Sequence, residues 1–107
     1  MRVFPAIFCC ALLLCSTRAA FASDIPIEQA NRIFSQTQIS LTSGDQLVVH
    51  NGDGIVHDLS VIDEDGEPQD LGIEQPGKTL KIRFANSGRF TVRCSLTPGM
   101  KMYVTVN

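Results

Sequence analysis

Residues 88–106 read GRFTVRCSLTPGMKMYVTV. Apolar side chains alternate with polar or charged ones on both sides of a short loop between Cys94 and Met100. Alternation with a period of two puts every second side chain on the same face of a strand, so each half is predicted to be a half-buried β-strand. Pro98 and Gly99 mark the turn between the two strands.

The rest of the chain shows the same pattern of short strands. Further strand candidates cover residues 38–42, 46–51, 59–62 and 80–84. Clusters of Gly, Pro, Asn and Asp separate them, and the Gln75-Pro76-Gly77-Lys78 stretch fits a type II turn. Residues 25–34 fit either a first strand or a short helical turn. Many short strands at this spacing predict an all-β sandwich or barrel of about seven strands.

Residues 1–22 are predicted to be a secretory signal peptide. Arg2 supplies positive charge, residues 3–15 form an apolar run, and Ala20-Phe21-Ala22 matches the small-x-small cleavage pattern. The apolar run falls short of the roughly 20 residues that a membrane-spanning helix needs. Cleavage would leave one domain, residues 23–107, in the periplasm without a membrane anchor.

The charge of the predicted mature chain is mildly negative. The sequence has 9 basic and 11 acidic residues. Arg2 and Arg18 leave with the signal peptide, which brings the net charge to about −4. Because nucleic-acid binding needs a basic face, a nucleic-acid partner is not expected.

Cys94 is the only cysteine that remains after cleavage, since the other three lie in the signal peptide. A lone thiol in an oxidising compartment has no disulfide partner, so it is either buried and inert or a metal ligand. Alternation points Cys94 and Met100 toward one cavity at the end of the sandwich. A thiolate and a thioether together suit copper, and His57, at the start of another predicted strand, offers an imidazole.

Four segments follow one another in a specific order along the mature chain. They are 34–51 with its Ser43-Gly44-Asp45-Gln46-Leu47 stretch, Asn51-x-Asp53-x-x-x-His57, the segment from Gly88 to Cys94 with Phe90, and Met100 followed by Val104-Thr105-Val106. This set resembles the cupredoxins, the small blue-copper proteins that include plastocyanin, pseudoazurin and amicyanin. The resemblance implies a Greek-key β-sandwich. It also implies copper, as Cu(I) or Cu(II), held by His57, Cys94 and Met100. The implied role is electron transfer by a monomer, with a redox partner such as a c-type cytochrome or a periplasmic oxidoreductase.

The ligand loop departs from the cupredoxin pattern at one position. In the shorter forms of the family the loop runs Cys-x-x-His-x-x-Met, which puts Thr97 where the second histidine is expected. A blue-copper site has two histidines and a cysteine with a weak axial methionine, so this chain lacks one of three strong ligands. Three hypotheses stay open. The three matching residues form a one-histidine site that favours Cu(I); His50 or Met102 replaces the missing ligand; or the fold is a metal-free structural or protein-binding module with Cys94 as a small buried hydrophobe.

An enzyme is not predicted. Cys94 and His57 could be recast as a nucleophile and its base. A thiol at an inward-facing strand end under a Pro-Gly loop would be poorly exposed, however, so we expect copper binding for electron transfer or copper carriage. Asp58 either accepts a hydrogen bond from the Cys94 loop, which would orient a ligand, or is a charge at a strand end.

Overall fold

A computed structural model describes residues 22–107. These residues form nine β-strands and no helix: β1 (Asp24–Ala30), β2 (Ile33–Phe34), β3 (Gln38–Leu41), β4 (Gln46–Asn51), β5 (His57–Ile62), β6 (Pro68–Glu74), β7 (Thr79–Arg83), β8 (Gly88–Cys94) and β9 (Lys101–Val106). Buried and exposed residues alternate along β9 and buried and half-buried residues along β4, as their period-two sequences require.

The strands form two sheets that enclose one core. One sheet has the order β2-β1-β4-β7 and the other the order β3-β9-β8-β5-β6. The pairs β1–β4 and β3–β9 are parallel, and the remaining pairs are antiparallel. Strands that are distant in sequence lie side by side in both sheets, as in a Greek-key sandwich. The predicted all-β sandwich is therefore confirmed.

The described residues hold nine strands where the sequence predicts about seven. The additional strands are β2, which has two residues, and β6, most of which is exposed. β6 contains a proline and a glycine and lacks a clear alternation, so its sequence gives little strand signal. Residues 25–34, which the sequence leaves undecided, belong to β1, β2 and the turn between them rather than to a helix.

The apolar core draws on both sheets. Fully buried side chains come from β1 and β4 in one sheet and from β5, β8 and β9 in the other; the largest apolar ones are Ile27, Leu47, Val49, Leu59, Val92, Met102 and Val104. Burial of one such side chain is worth about 1.5–3 kcal/mol. Met102 is completely buried in this core, which is the structural role that its position in β9 predicts.

The predicted signal peptide lies outside the described residues, except for the exposed Ala22. β1 begins at Asp24, just after the predicted cleavage point, which itself stays a prediction. Within residues 22–107, no helix has the length and apolar character needed to cross a membrane.

The antiparallel pairing of β5 with β8 determines which residues meet at one end of the sandwich. Leu59 lies opposite Cys94 in the register of this pair. The start of β5 and the end of β8 are therefore adjacent, and β9 starts beside them because Arg93 lies opposite Lys101. This end carries all three predicted ligands.

Candidate metal centre

Two of the three predicted ligands are in contact. His57 is the first residue of β5 and Cys94 the last residue of β8. Nδ1 of the His57 imidazole lies 3.4 Å from Sγ of Cys94. The two residues are only 0% and 4% exposed, respectively, so this contact is shielded from water. The structure thus joins two side chains that the sequence could only assign to the same end of a sandwich.

Met100 lies across the loop from Cys94, immediately before β9. Its carbonyl oxygen accepts a hydrogen bond from the Cys94 amide at 3.2 Å, which closes the loop at its base. The Met100 residue is 3% exposed and belongs to the same buried cluster as Cys94. Both sulfur-bearing side chains therefore face the interior, as the sequence predicts.

Thr97 lies half-buried in the middle of this loop. Its carbonyl oxygen accepts a hydrogen bond from the Met100 amide at 3.2 Å. Its side chain is one of the groups that lower the pKa of the Cys94 thiol. Thr97 offers a hydroxyl where the cupredoxin loop has an imidazole, and a neutral hydroxyl is a weak ligand for a soft metal ion.

Asp53 holds the far side of the His57 imidazole. Its Oδ2 lies 2.7 Å from Nε2 of His57, and its side chain is 12% exposed. An ionised carboxylate only accepts hydrogen bonds, so Nε2 carries the proton. In a neutral imidazole Nδ1 then presents its lone pair to Cys94. In the sequence, Asp53 is part of the Asn51-x-Asp53-x-x-x-His57 motif, but the motif alone does not reveal this contact. The sequence signal for the contact is the four-residue spacing between Asp53 and His57.

The pKa of Cys94 is lowered although the thiol is buried. Burial alone raises it, because the thiolate loses its hydration. Hydrogen bonds from the backbone amides of Asp58 and Leu96 and from the side chains of His57 and Thr97 outweigh burial. The thiolate is the form of cysteine that binds metal ions, so these hydrogen bonds favour the form that a ligand role would require.

The pKa values of His57 and Asp53 move in opposite directions. Burial lowers the pKa of His57, but its hydrogen bonds to Asp53 and Cys94 and the charges of these two groups raise it overall. Burial raises the pKa of Asp53, but hydrogen bonds from His57 and from the amides of Arg32 and Asn31 lower it overall. Each of these two shifts therefore favours the charged form of its group, the imidazolium of His57 and the carboxylate of Asp53.

Asp58 fastens the ligand loop to β5. The Ser95 amide donates a hydrogen bond to the Asp58 carbonyl oxygen at 2.8 Å, and the Ser95 hydroxyl donates one to Oδ2 of Asp58 at 3.0 Å. Of the two roles considered for Asp58, the structure selects the hydrogen bond with the Cys94 loop.

His50 is not part of this constellation. Its side chain is 43% exposed, and its Nδ1 lies 2.9 Å from both carboxylate oxygens of Glu28, its neighbour in the parallel β1–β4 pair. It therefore faces away from His57 and Cys94, so it does not replace the missing ligand.

A second set of buried polar residues lies behind the candidate centre. Gln29 and Asn51 are 0% exposed and Glu74 is 4% exposed. Nε2 of Gln29 donates to Oε1 of Glu74. Nδ2 of Asn51 donates to the carbonyl oxygens of Glu74 and Ile55, each at 2.9 Å. Burial raises the pKa of Glu74. We call Gln29, Asn51 and Glu74 the inner cluster, and Asp53, His57 and Cys94 the site cluster.

The donor set of the candidate centre fits copper better than it fits a hard cation. Among residues 22–107, no three His, Cys, Asp or Glu side chains converge on one point. Of the three predicted donors, His57 and Cys94 face each other, and the third is the Met100 thioether. Thiolate, imidazole and thioether are soft or borderline ligands, which suit Cu(I) in particular.

A surface pocket of about 320 Å³ lies beside the ligand loop, and Cys94 and Met100 are among its lining residues. Its lining runs from residues 93 to 95 and from 98 to 101. His57 and Thr97 are not part of this lining, so the pocket does not open onto the imidazole.

Solved structures of amicyanin share this fold. The Cu(I) form of a methionine-to-alanine variant of amicyanin has a TM-score of 0.71 and 14% identity, covering 78% of this chain and 82% of that chain. A reduced tryptophan-to-tyrosine variant gives a TM-score of 0.71 and 14% identity over 84% of this chain and 88% of that chain. No protein-family model matches the sequence, and no curated relative is significantly similar to it. The likeness establishes the cupredoxin fold, while function depends on the site.

Proposed function

We propose that this protein is a periplasmic copper-binding protein that transfers electrons or carries copper through a one-histidine site made of His57, Cys94 and Met100. The observation that supports the proposal most strongly is the buried 3.4 Å approach of His57 Nδ1 to Cys94 Sγ at the end of a cupredoxin fold. Similar structures include amicyanin in its Cu(I) form. The proposal includes no enzymatic activity.

Each residue has a separate role in the proposed site. Cys94 provides a thiolate, the strongest soft ligand, and His57 provides the Nδ1 lone pair. Met100 provides a weaker thioether. A bound copper ion would supply one-electron exchange between Cu(I) and Cu(II).

The replacement of the second histidine by Thr97 biases the proposed site toward Cu(I). Cu(I) accepts low coordination numbers and soft sulfur ligands, whereas Cu(II) prefers more nitrogen and oxygen donors. This bias supports copper carriage, or electron transfer at a potential that differs from that of a two-histidine site. For electron transfer, this protein would act as a monomer, and its partner would be a c-type cytochrome or a periplasmic oxidoreductase.

A contact near the predicted cleavage point supports export. The Ser23 nitrogen lies 2.9 Å from Oδ1 of Asp45. Cleavage before Ser23 would turn this amide into a charged amino group that faces a carboxylate, which is a stronger hydrogen bond. Removal of the signal peptide would thus strengthen a contact that the mature chain keeps.

One observation favours the metal-free alternative, in which the fold is a structural or protein-binding module. Cys94 is buried and packs in the apolar core cluster together with Met100 and Met102. A buried thiol with these contacts is stable without a metal.

Cu(I) binding by the mature protein tests the proposal. In competition with a chromophoric Cu(I) chelator, the wild type should bind about one Cu(I) per chain, and Cys94→Ser should lose this binding because the thiolate is removed. Met100→Leu should weaken binding, whereas Met102→Leu should not, since Met102 is core and the two swaps conserve volume similarly. Equal affinity in wild type and Cys94→Ser would show that Cys94 is not a ligand, and a wild type that binds no Cu(I) would support the metal-free module instead.

A further inference from the structure

We infer that Asp53 is the positioning residue of this site: held by the β1–β2 hairpin, its carboxylate keeps Nε2 of His57 protonated and directs Nδ1 toward Cys94. The inference rests on the proposed function in that it treats His57 as a ligand. The ring orientation that it assigns is nevertheless a property of the metal-free protein, so it can be measured separately.

The carboxylate of Asp53 is fixed from several directions. Its Oδ1 accepts the Asn31 amide at 2.6 Å, and its Oδ2 accepts the Arg32 amide at 3.0 Å as well as His57 Nε2 at 2.7 Å. Its backbone is held too, because the Asp53 amide donates to Oδ1 of Asn51 at 2.9 Å. A carboxylate with this many partners cannot rotate freely, so it defines the plane and the protonated nitrogen of the imidazole.

The hairpin between β1 and β2 has an unusual backbone conformation that produces two of these contacts. Asn31 and Arg32 have φ values of 55° and 60°, in the left-handed region. Asparagine tolerates this region, but a residue such as arginine enters it rarely. Two successive residues with positive φ form the tight hairpin turn in which glycine is usual. Here the turn directs two consecutive amides at one carboxylate, which compensates the unfavourable backbone and ties the hairpin to the ligand.

The site needs a positioning residue for His57 because Thr97 stands where a second histidine ligand is expected. A site with only one histidine depends on that imidazole for both orientation and donor strength. A carboxylate on the other ring nitrogen fixes the tautomer and makes the donor nitrogen more basic, and loss of such a partner typically reduces metal affinity about 10–100-fold. Asp53 thereby strengthens the one imidazole that the site retains.

Nitrogen NMR of the His57 ring in the metal-free protein tests the orientation directly. We would use Cys94→Ala as the background, so that no thiol influences Nδ1, and a pH at which the imidazole is neutral. The ring should be protonated at Nε2 alone. Adding Asp53→Ala should give a mixture of the two tautomers, and adding Asp53→Asn an intermediate result, because an amide oxygen can still accept from Nε2.

Cu(I) affinity is the second readout, measured with Cys94 intact. Asp53→Ala should weaken binding about 10–100-fold, with a smaller loss for Asp53→Asn. Asp45→Ala is the matched control, because the Asp45 carboxylate also accepts two backbone amides through its two oxygens, each at 2.9 Å, yet it has no hydrogen bond to a histidine. This control should lower stability while leaving the tautomer and the Cu(I) affinity unchanged.

Several outcomes would overturn the inference. If Asp53→Ala changes the tautomer and the Cu(I) affinity no more than Asp45→Ala does, Asp53 is only structural. If Asp53→Ala does not fold, Asp53→Asn decides on the same two readouts. If the wild type does not bind Cu(I), the proposed function fails, but the tautomer measurement still decides whether Asp53 positions His57.

Discussion

Two buried polar clusters lie at the same end of this sandwich, and they differ in what their polar atoms face. Asn51 links them, since its Oδ1 accepts the Asp53 amide while its Nδ2 donates to the Glu74 carbonyl oxygen. In the site cluster, hydrogen bonds run in one line from Asp53 through His57 to Cys94. In the inner cluster, Oε1 of Gln29 and Oε2 of Glu74 have no hydrogen-bond partner among the described residues.

The difference shows two uses of buried polar groups. In the site cluster, Asp53 orients the His57 imidazole toward the Cys94 thiol. Compared with a cupredoxin ligand loop, this cluster lacks the second imidazole, because Thr97 stands at that position. The inner cluster connects β1 in one sheet with β6 in the other, and what it lacks is a pair of hydrogen bonds. A buried polar group without a partner costs about 1–3 kcal/mol. The first cluster is therefore incomplete as a metal site, and the second is incomplete as a structural link.

Completing the site cluster should have the largest effect. Thr97→His adds the missing imidazole, so the variant should bind Cu(II) in a set of two histidines, a cysteine and an axial methionine. It should then show the intense thiolate-to-copper absorption that makes such sites blue. The wild type should show a weak, shifted or absent band. Absorbance and paramagnetic resonance spectra of the two proteins measure the difference.

Leu96→His is the control for this prediction. Leu96 is the neighbour of Thr97 in the same loop and is 55% exposed, so an imidazole there should point to solvent and give no blue band. A Thr97→His protein that takes up no copper and stays colourless would mean that the loop does not direct its residues at one metal position, which favours the metal-free module.

Removing the Asn51 side chain, which links the inner cluster to the site cluster, should have the next largest effect. Asn51→Ala leaves the carbonyl oxygens of Ile55 and Glu74 and the Asp53 amide without their partner. We expect the free energy of unfolding to fall by about 2–4 kcal/mol, measured by denaturant unfolding. Cu(I) affinity should fall as well, because Asp53 loses its backbone anchor.

Asn86→Ala is the control for Asn51→Ala. Asn86 is exposed, so its replacement should change the free energy of unfolding by less than about 0.5 kcal/mol. If Asn51→Ala lowers stability but leaves Cu(I) affinity intact, the two clusters are independent despite their link through Asn51.

The sequence predicts the site cluster better than the inner cluster, for a physical reason. Alternation within β8 and the length of the ligand loop are local signals, and they suffice to orient Cys94 and Met100 inward. The pairing of Gln29 with Glu74 joins residues 45 positions apart. That pairing depends on β6, whose sequence carries little strand signal, and on β1, which the sequence leaves undecided between strand and helical turn. The Asp53 contacts with Asn31 and Arg32 were missed because they arise from the same undecided segment.

Supplying the hydrogen bonds that the inner cluster lacks should have the smallest effect on the free energy of unfolding, and this effect should depend on pH. Burial raises the pKa of Glu74 above its ordinary value of 4.5. Between that value and the raised value, the native state binds more protons than the unfolded state, so the contribution of Glu74 to stability falls as pH rises through this window. Above this pH window, the native state bears the full cost of burying the ionised Glu74 side chain. Below it, a protonated Oε2 can donate to Oε1 of Gln29, and neither atom lacks a partner.

Glu74→Gln removes this titration and supplies a permanent donor. The new amide can pair with the Gln29 amide in both directions, so we expect the variant to be about 1 kcal/mol more stable than the wild type at neutral pH. The gain should shrink as pH falls through the window, because protonation gives the wild type the same donor. Glu67→Gln, at an exposed position, removes the same charge and should show no such pH-dependent gain. Denaturant unfolding of the three proteins across a pH series measures the difference. Parallel curves for wild type and Glu74→Gln would mean that Glu74 titrates alike in the folded and unfolded chains, and that the two unpaired atoms are not the weak point of the inner cluster.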